Sequence, residues 1–169
     1  MWVFDATPLI YLAKAERLGL VGSLDEPRLV PHRVYDEVVT VGLERSYPDA
    51  RRIDRRIEDG MFEIVSVEPG PLFDRLEGGS GLSVADIAVL ELARRRNAVA
   101  VLDDGYGREV AATEGISTRG TAFVVLSLAA DGRISTDEAR ETIDAMVDDG
   151  WYCAPDLYAK IVRTLETFE

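Results

Sequence analysis

The sequence predicts an α/β fold in which a parallel sheet carries helices on both faces. Short apolar segments alternate along the chain with segments of helical periodicity, which is typical of a parallel sheet. Residues 98–102 are apolar without alternation, as expected for a central strand buried on both faces. The chain has 169 residues, of which 47% are apolar, so we expect a single domain with a sizeable core over residues 1–169.

The first half of the chain predicts three strands and four helices. The strands cover residues 2–4, 28–30 and 62–67, and the helices cover residues 8–20, 31–41, 49–59 and 71–76. Pro31 suits the first turn of its helix, because an N–H at that position would have no partner in the helix. Gly60 is expected to end the third helix.

The second half begins with a glycine-rich break at residues 78–81. Ser83 is typical of an N-cap, and Asp86 takes the reciprocal position of a capping box. The remaining segments are a helix from Ser83 to about Arg96, strands at 98–102 and 116–118, and helices at 106–114, 121–130, 136–148 and 155–167. Residues 1–118 are therefore the expected α/β core, and residues 119–169 the expected C-terminal helices.

Carboxylates follow two of the predicted strands. Asp5 ends the first strand, and Asp103 and Asp104 end the strand at 98–102. Asp86 and Glu37 lie on flanking helices. Since the carboxyl ends of parallel strands meet at one edge, where ligands gather, four or five carboxylates are expected to converge there. Converging carboxylates repel one another unless a cation lies among them, and oxygen ligands suit Mg²⁺ or Mn²⁺. Such an ion can activate water and clamp a phosphate, as in metal-dependent nucleases.

Each of these acids also has a purely structural interpretation. Asp5 can cap the helix that follows it, and Asp86 can simply complete the Ser83 capping box. Glu37 can belong to a solvated helix face. At least one of Asp103 and Asp104 is expected to cap the next helix, and the sequence does not decide which of the two is the metal ligand.

The charge balance is strongly acidic, with 31 Asp and Glu against 19 Lys and Arg and a net charge of −12. The acids are spread along the chain, which predicts self-repulsion in dilute buffer and adaptation to a salty cytosol. Cys153 and His32 are the only residues of their types, so a disulfide, a cysteine-based zinc cage or a multi-histidine site is excluded. With no apolar run of membrane length and no signal-peptide pattern, we expect a cytoplasmic protein with no membrane partner.

Four segments, in order, resemble the motifs of the PIN-domain family. Asp5 and Thr7 lie in Phe4-Asp5-Ala6-Thr7-Pro8-Leu9-Ile10-Tyr11-Leu12-Ala13, which is similar to the first motif with its acid and following Thr or Ser. The second motif, which supplies a Glu, is similar to Pro31-His32-Arg33-Val34-Tyr35-Asp36-Glu37-Val38. The third is similar to Leu82-Ser83-Val84-Ala85-Asp86-Ile87-Ala88, and the fourth to Val101-Leu102-Asp103-Asp104. Leu102 departs from the pattern, because relatives often carry Thr there. The likeness covers nearly the whole chain and points to a PIN-like branch found in archaea and bacteria.

The resemblance implies a three-layer α/β/α sandwich with a central parallel sheet of about five strands. It implies Mg²⁺- or Mn²⁺-dependent endonucleolytic cleavage of single-stranded RNA, possible pairing with an antitoxin protein, and possible homodimers. The catalytic residues implied are Asp5, Glu37, Asp86 and Asp104, the metal ligands Asp5, Asp86, Asp103 and Asp104, and the supporting residues Thr7 and Ser83.

Three other functions are alternatives to the nuclease. A phosphorelay receiver needs a Lys at the fifth strand, and residues 116–118 offer none. A dinucleotide-binding loop at Gly105 and Gly107 would set two aspartates against a pyrophosphate. A non-catalytic module of the same fold, which binds RNA or protein and keeps a residual metal site, stays the open alternative.

Arginine is the expected contact to RNA, because its guanidinium clamps phosphate in a bidentate manner. Arg51, Arg52, Arg55 and Arg56 form one helical cluster, and residues 94–96 form another, with Arg51, Arg55 and Arg95 the candidate contacts. Acidic neighbours favour i,i+4 ion pairs within the helices as the alternative role of both clusters.

Overall fold

A computed structural model describes residues 1–168 as a five-stranded, all-parallel sheet flanked by helices. The strands are β1 (Trp2–Phe4), β2 (Arg28–Pro31), β3 (Glu63–Val65), β4 (Val99–Val101) and β5 (Thr118–Arg119), in the spatial order β3-β2-β1-β4-β5. The register sets Phe4 beside Val101 and Val3 beside Leu29. The predicted parallel sheet with helices on both faces is confirmed, and β5 lies at an edge as predicted.

The helices are α1 (Ala6–Lys14), α2 (His32–Tyr35), α3 (Val41–Glu44), α4 (Pro48–Glu58), α5 (Pro71–Leu76), α6 (Val84–Arg96), α7 (Gly105–Thr113), α8 (Thr121–Ala130), α9 (Thr136–Asp148) and α10 (Pro155–Glu166). Local signals set several of the bounds. Ser83 caps α6 in a capping box with Asp86, and Ser135 caps α9 by accepting from the Glu138 N–H. Gly60 follows α4 with a φ of 79°, a left-handed conformation that favours glycine.

The predicted helix over residues 8–20 is wrong in its length. α1 ends at Lys14, Glu16 has a φ of 58°, and a separate 3₁₀ helix covers Leu18–Ser23. The Ala13 carbonyl oxygen accepts from the Glu16 N–H in this closing turn and from the Arg52 guanidinium of α4, each at 3.0 Å. A residue distant in the sequence therefore contacts the end of α1.

The predicted helix over residues 31–41 is also not one regular helix. Pro31 ends β2 instead of opening the helix, and a π-helical stretch, Asp36–Thr40, separates α2 from α3. π-Helical turns are rare, and they occur frequently at functional sites. This one contains Glu37, one of the residues predicted to be catalytic.

The buried apolar residues form one cluster that runs from Val3 in β1 to Leu165 in α10. Phe4 packs edge-on against Phe62, with 5.5 Å between their ring centroids. Trp151 is buried, whereas Tyr152 beside it is 84% exposed. Among residues 1–168, no helix is both long and apolar enough to cross a bilayer.

The net charge of −12 leads to a prediction about folding. We expect the protein to lose native structure, or to melt at least about 10 °C lower, when it is moved from about 2 M KCl to dilute buffer, because salt screens the repulsion between its acids. Far-UV circular dichroism melts at several KCl concentrations measure the difference. Sucrose at matched osmolality is the control, because it is excluded from protein surfaces without screening charge. Full stability in dilute buffer would contradict the prediction.

Candidate active site

The candidate site lies where the strand order reverses, beside β1 and β4. In open parallel sheets, ligands bind outside the carboxyl ends of the strands at this point. Asp5 follows β1 directly, and Asp103 and Asp104 follow β4 after Leu102. The pairing of Phe4 with Val101 brings the two strand ends together, and the Asp5 N–H donates to the Val101 carbonyl oxygen at 3.0 Å. A narrow crevice here is lined by Asp5, Leu82, Asp86, Val89, Leu90, Leu102, Asp104 and Gly107.

Asp5 is the most strongly perturbed acid of the site. Its side chain is only 8% exposed, and it makes no capping hydrogen bond to the N-terminus of α1. Burial is the largest cause that raises the pKa of Asp5 to about 7. The Ala6 backbone N–H opposes it, and the charges of Asp86, Glu37 and Asp103 add to it. The cap role is therefore not realised, and Asp5 is a buried acid that faces other acids.

Asp86 combines both of its expected roles. Its carboxylate Oδ2 accepts from the Ser83 N–H at 2.9 Å, and the Ser83 hydroxyl accepts from the Asp86 N–H at 3.1 Å. This capping box fixes the first turn of α6 and the direction of the Asp86 side chain. The negative charge still acts on Asp5 and Glu37 and raises the pKa of both.

Glu37 interacts electrostatically with both Asp5 and Asp86. It lies in the π-helical stretch that continues α2, and α2 packs against α6. Partial burial raises the pKa of Glu37, and the Asp86 charge raises it further. The side chain remains exposed overall, so it is open to solvent and to a ligand.

The two acids after β4 differ in what they do. Asp103 accepts three hydrogen bonds: at Oδ1 from the Thr121 N–H (2.7 Å), and at Oδ2 from the Thr121 hydroxyl (2.7 Å) and the Trp151 indole N–H (2.9 Å). Asp104 accepts only from the Gly107 N–H, through Oδ2 at 2.9 Å, as the N-cap of α7. Asp104 is therefore the cap of α7, whereas Asp103 ties Thr121 and Trp151 to the end of β4. Asp104 keeps one carboxylate oxygen free of hydrogen bonds within residues 1–168.

The two supporting residues also differ. The Ser83 hydroxyl is the capping group just described. Thr7 lies in the first turn of α1 and is partly exposed, and its hydroxyl forms no hydrogen bond within the described part of the chain. It is thus free to meet a ligand beside Asp5.

The two arginine clusters have different surroundings. Arg94 and Arg95 both bond the fully buried Glu91 carboxylate, at 2.7 and 2.6 Å, and Arg95 also donates to the Glu68 carbonyl oxygen. Burial alone would raise the pKa of Glu91, but hydrogen bonds from these two guanidiniums lower it. Ion pairing within α6 therefore accounts for Arg95, the third candidate RNA contact. On α4, by contrast, no i,i+4 ion pair forms among the described residues.

The donor set of the site fits a hard divalent cation. Its side chains offer oxygen atoms alone, which suits Mg²⁺ or Mn²⁺. A cation would also relieve the repulsion that raises the pKa of Asp5. Within residues 1–168, no three Asp, Glu, His or Cys side chains are close enough to hold one ion together. Mg²⁺ commonly keeps several waters and takes only one or two carboxylates, so a closed cage of protein ligands is not required.

Thr121 and Trp151 were missed as site residues in the sequence. They lie 18 and 48 residues from Asp103, and no local pattern connects them to it. Their hydrogen bonds tie the N-terminus of α8 and the segment before α10 to the end of β4. The C-terminal helices thus help to fix the geometry of the site.

Comparisons with known proteins identify a family. A family model described as a PIN domain matches residues 1–167 of the chain. No curated protein matches it.

Proposed function

The chain belongs to the PIN-domain family, whose members are generally nucleases that use divalent metals, and from this premise we propose that it is a Mg²⁺- or Mn²⁺-dependent endoribonuclease acting on single-stranded RNA. The observation that carries the proposal is Asp5. A carboxyl that is buried among other acids and gains no capping bond is costly for the fold, which is expected where a cation is to be bound.

In this proposal the ion lies among Asp5, Asp86 and the free oxygen of Asp104, of which one or two bind it directly and the rest act through its bound waters. Asp103 fixes the end of β4 through its bonds to Thr121 and Trp151. A bound divalent ion would supply charge stabilisation at the scissile phosphate and lower the pKa of an attacking water. Glu37 is solvent-accessible and has a raised pKa, so it suits the transfer of a proton to or from water. Thr7, beside Asp5, is free to donate a hydrogen bond to a phosphate oxygen.

The proposal extends to the biological setting of the protein. We place the protein in a salty cytoplasm because of its charge, as a single domain over residues 1–169 that could act as the toxin of a toxin–antitoxin pair and could form homodimers. The second candidate function is a non-catalytic PIN-like module that binds RNA or protein. The observation that favours it is that the described acids do not close around an ion.

Cleavage of a labelled panel of single-stranded RNAs in molar KCl, with Mn²⁺ or with EDTA, tests the proposal. Wild type is compared with Asp86→Asn, which removes one charge and leaves an oxygen to accept from the Ser83 N–H. We expect endonucleolytic products from wild type with Mn²⁺ only. Binding of RNA by both proteins without cleavage by either would support the non-catalytic module instead.

Metal binding itself is predicted to be visible in stability. At a concentration of Mn²⁺ about a hundredfold above its dissociation constant, linkage stabilises the native state by about 2.7 kcal/mol, which raises the melting temperature by roughly 5–10 °C. Differential scanning fluorimetry at fixed ionic strength measures this shift. Asp86→Asn should show a much smaller shift, and a wild-type melting temperature that is the same in EDTA and in Mn²⁺ would count against the metal site.

A further inference from the structure

A groove of about 630 Å³ lies at the end of α1 that is remote from the carboxylates. Asp5 is the N-cap of α1, whereas Ala13, in the last turn of α1, lines the groove together with Glu16 and Leu18. The opposite wall is α4. The groove and the crevice at Asp5 share no lining residue, so they are two sites joined by the length of α1.

Four arginines of α4 face this groove, and we call them the arginine face: Arg51, Arg52, Arg55 and Arg56. Their i, i+1, i+4 and i+5 spacing puts them on one side of the helix. Arg52 is neutralised, because it pairs with Glu16 at 3.2 Å and donates to the Ala13 carbonyl oxygen. Arg51, Arg55 and Arg56 form no ion pair within residues 1–168.

The arginine face is marked by the grouping of four arginines at one groove, because the lack of an ion pair is shared by other arginines of the described chain, such as Arg96 and Arg163. The chain has 31 acidic residues against 19 basic ones, so an arginine on its surface has many potential partners. Asp54 and Glu58 belong to α4 itself, yet neither forms an ion pair with the arginine face. Three uncompensated guanidiniums at one groove therefore make a local positive site on a protein of net charge −12.

We propose that the arginine face binds the phosphodiester backbone of the RNA strand whose cleavage is proposed at the carboxylates, as a second anchoring site. The inference rests on the proposed function. Guanidinium forks match phosphate oxygens in a bidentate manner, and the groove is open enough for a strand to lie in it. The acidic surface elsewhere repels a polyanion, so these arginines favour one path of the strand over others.

The length of α1 determines the shortest RNA strand that can reach both sites. Its 9 residues rise about 13 Å at roughly 1.5 Å per residue. At about 3.4 Å per phosphate, a stacked strand needs roughly four phosphates to cover that distance. Strands of about three nucleotides can occupy only one of the two sites, and strands of about ten can occupy both. The anchoring site therefore makes affinity depend on strand length.

Fluorescence anisotropy of labelled RNA in EDTA tests this without any cleavage. The double variant Arg51→Ala with Arg55→Ala removes two exposed guanidiniums that have no partner in the described chain. The matched control is Arg96→Ala with Arg163→Ala, two exposed arginines on α6 and α10 that do not line the groove. Thermal melts of both variants, over the salt range in which wild type is folded, establish that each remains native.

We expect the groove variant to bind a strand of about ten nucleotides roughly tenfold more weakly, with a salt slope smaller by about 0.7 for each phosphate that is no longer neutralised. A strand of about three nucleotides should also bind the groove variant more weakly, because in EDTA the carboxylates repel phosphate and the arginine face is the favourable site left to a short strand. The control variant should match wild type at both lengths. An equal loss of affinity in both variants, an unchanged groove variant, or no RNA binding by wild type would each overturn the inference.

The competing occupant is an acidic segment of a partner protein. An oligoglutamate peptide that binds wild type more tightly than RNA, and loses affinity in the groove variant, would assign the groove to a protein and overturn the RNA inference. The proposed nuclease can fail separately. RNA binding that depends on the arginine face in a protein that cleaves no RNA would keep the groove and reject the catalytic proposal.

Discussion

Replacing Asp5 by Asn is expected to abolish metal-dependent cleavage and, in the absence of metal, to stabilise the protein at pH 8. Most substitutions of buried residues destabilise, so a gain in stability coupled to a loss of activity is a specific signature. The expected gain is up to about 4 kcal/mol, from a pKa difference of roughly three units at about 1.4 kcal/mol each. We expect activity to fall by about a hundredfold or more.

The sign of the effect follows from proton linkage. The pKa of Asp5 is about 7 in the folded protein, against 3.8 for an unperturbed Asp. Between these values the folded state binds more protons than the unfolded state, so wild-type stability falls as pH rises from about 4 to 7. Below about pH 4 the carboxyl is protonated in both states and its favourable contribution is fully present. The Asn side chain is neutral at every pH, so the variant does not lose stability at this position as pH rises.

Urea denaturation in EDTA at pH values from about 5 to 8 measures the prediction. The difference in unfolding free energy between Asp5→Asn and wild type should grow with pH and level off above about pH 7. Asp148→Asn is the matched control, because it removes the same charge from an exposed position on α9. If Asp148→Asn stabilises as much as Asp5→Asn, relief of the general negative charge explains the gain. A destabilised Asp5→Asn would remove Asp5 as the observation that carries the proposed function.

The sequence predicts best where the signal lies within one turn of the element it defines. α5 and α8 have the predicted bounds, and α6 begins after Ser83 because Ser83 and Asp86 cap each other across three residues. The central strands β1, β2 and β4 also follow from short apolar runs, because most of their residues are buried. The location of the acidic cluster, at the carboxyl ends of β1 and β4, could therefore be predicted from the sequence.

The parts that differ depend on contacts between distant segments. α1 ends at Lys14, near the contact between Arg52 of α4 and the Ala13 carbonyl oxygen. Nothing in the sequence of residues 8–20 predicts this contact. The π-helical stretch around Glu37 adds a residue to a turn whose sequence is compatible with an ordinary helix. Whether an arginine pairs with a neighbouring acid was likewise not decided by spacing, since Arg95 pairs with Glu91 on α6 and the arginine face of α4 stays unpaired within its helix.

The same limit applies to Asp103 and Asp104, which the sequence could not rank, and their contacts predict opposite effects of substitution. Asp103→Ala should destabilise the protein by at least about 3 kcal/mol. It leaves two donors of buried Thr121 and the indole N–H of buried Trp151 without their acceptor, at about 1–3 kcal/mol for each unsatisfied group. Any loss of activity should then accompany the loss of the contacts that hold α8 and the segment before α10 against the end of β4.

Asp104→Asn should leave stability nearly unchanged and reduce metal binding and activity. Asn caps helices as well as Asp does, so the bond from the Gly107 N–H to the side chain is kept and stability should change by less than about 0.5 kcal/mol. The charge beside Asp5 and Asp86 is removed, so the Mn²⁺-induced rise in melting temperature should shrink and cleavage should fall by about a hundredfold.

Thermal melts with and without Mn²⁺, and single-turnover cleavage of one RNA, compare the two variants directly. Trp151→Phe is the companion of Asp103→Ala, because it removes one donor to Asp103 and leaves every carboxylate in place. It should lower stability and leave the Mn²⁺-induced shift of the melting temperature unchanged. If Asp103→Ala instead melts like wild type and no longer responds to Mn²⁺, then Asp103 is the ligand and Asp104 is only the cap of α7. The contacts favour Asp104 as the ligand, because three hydrogen bonds leave Asp103 about one lone-pair site, on Oδ1, whereas the single bond to Asp104 leaves about three.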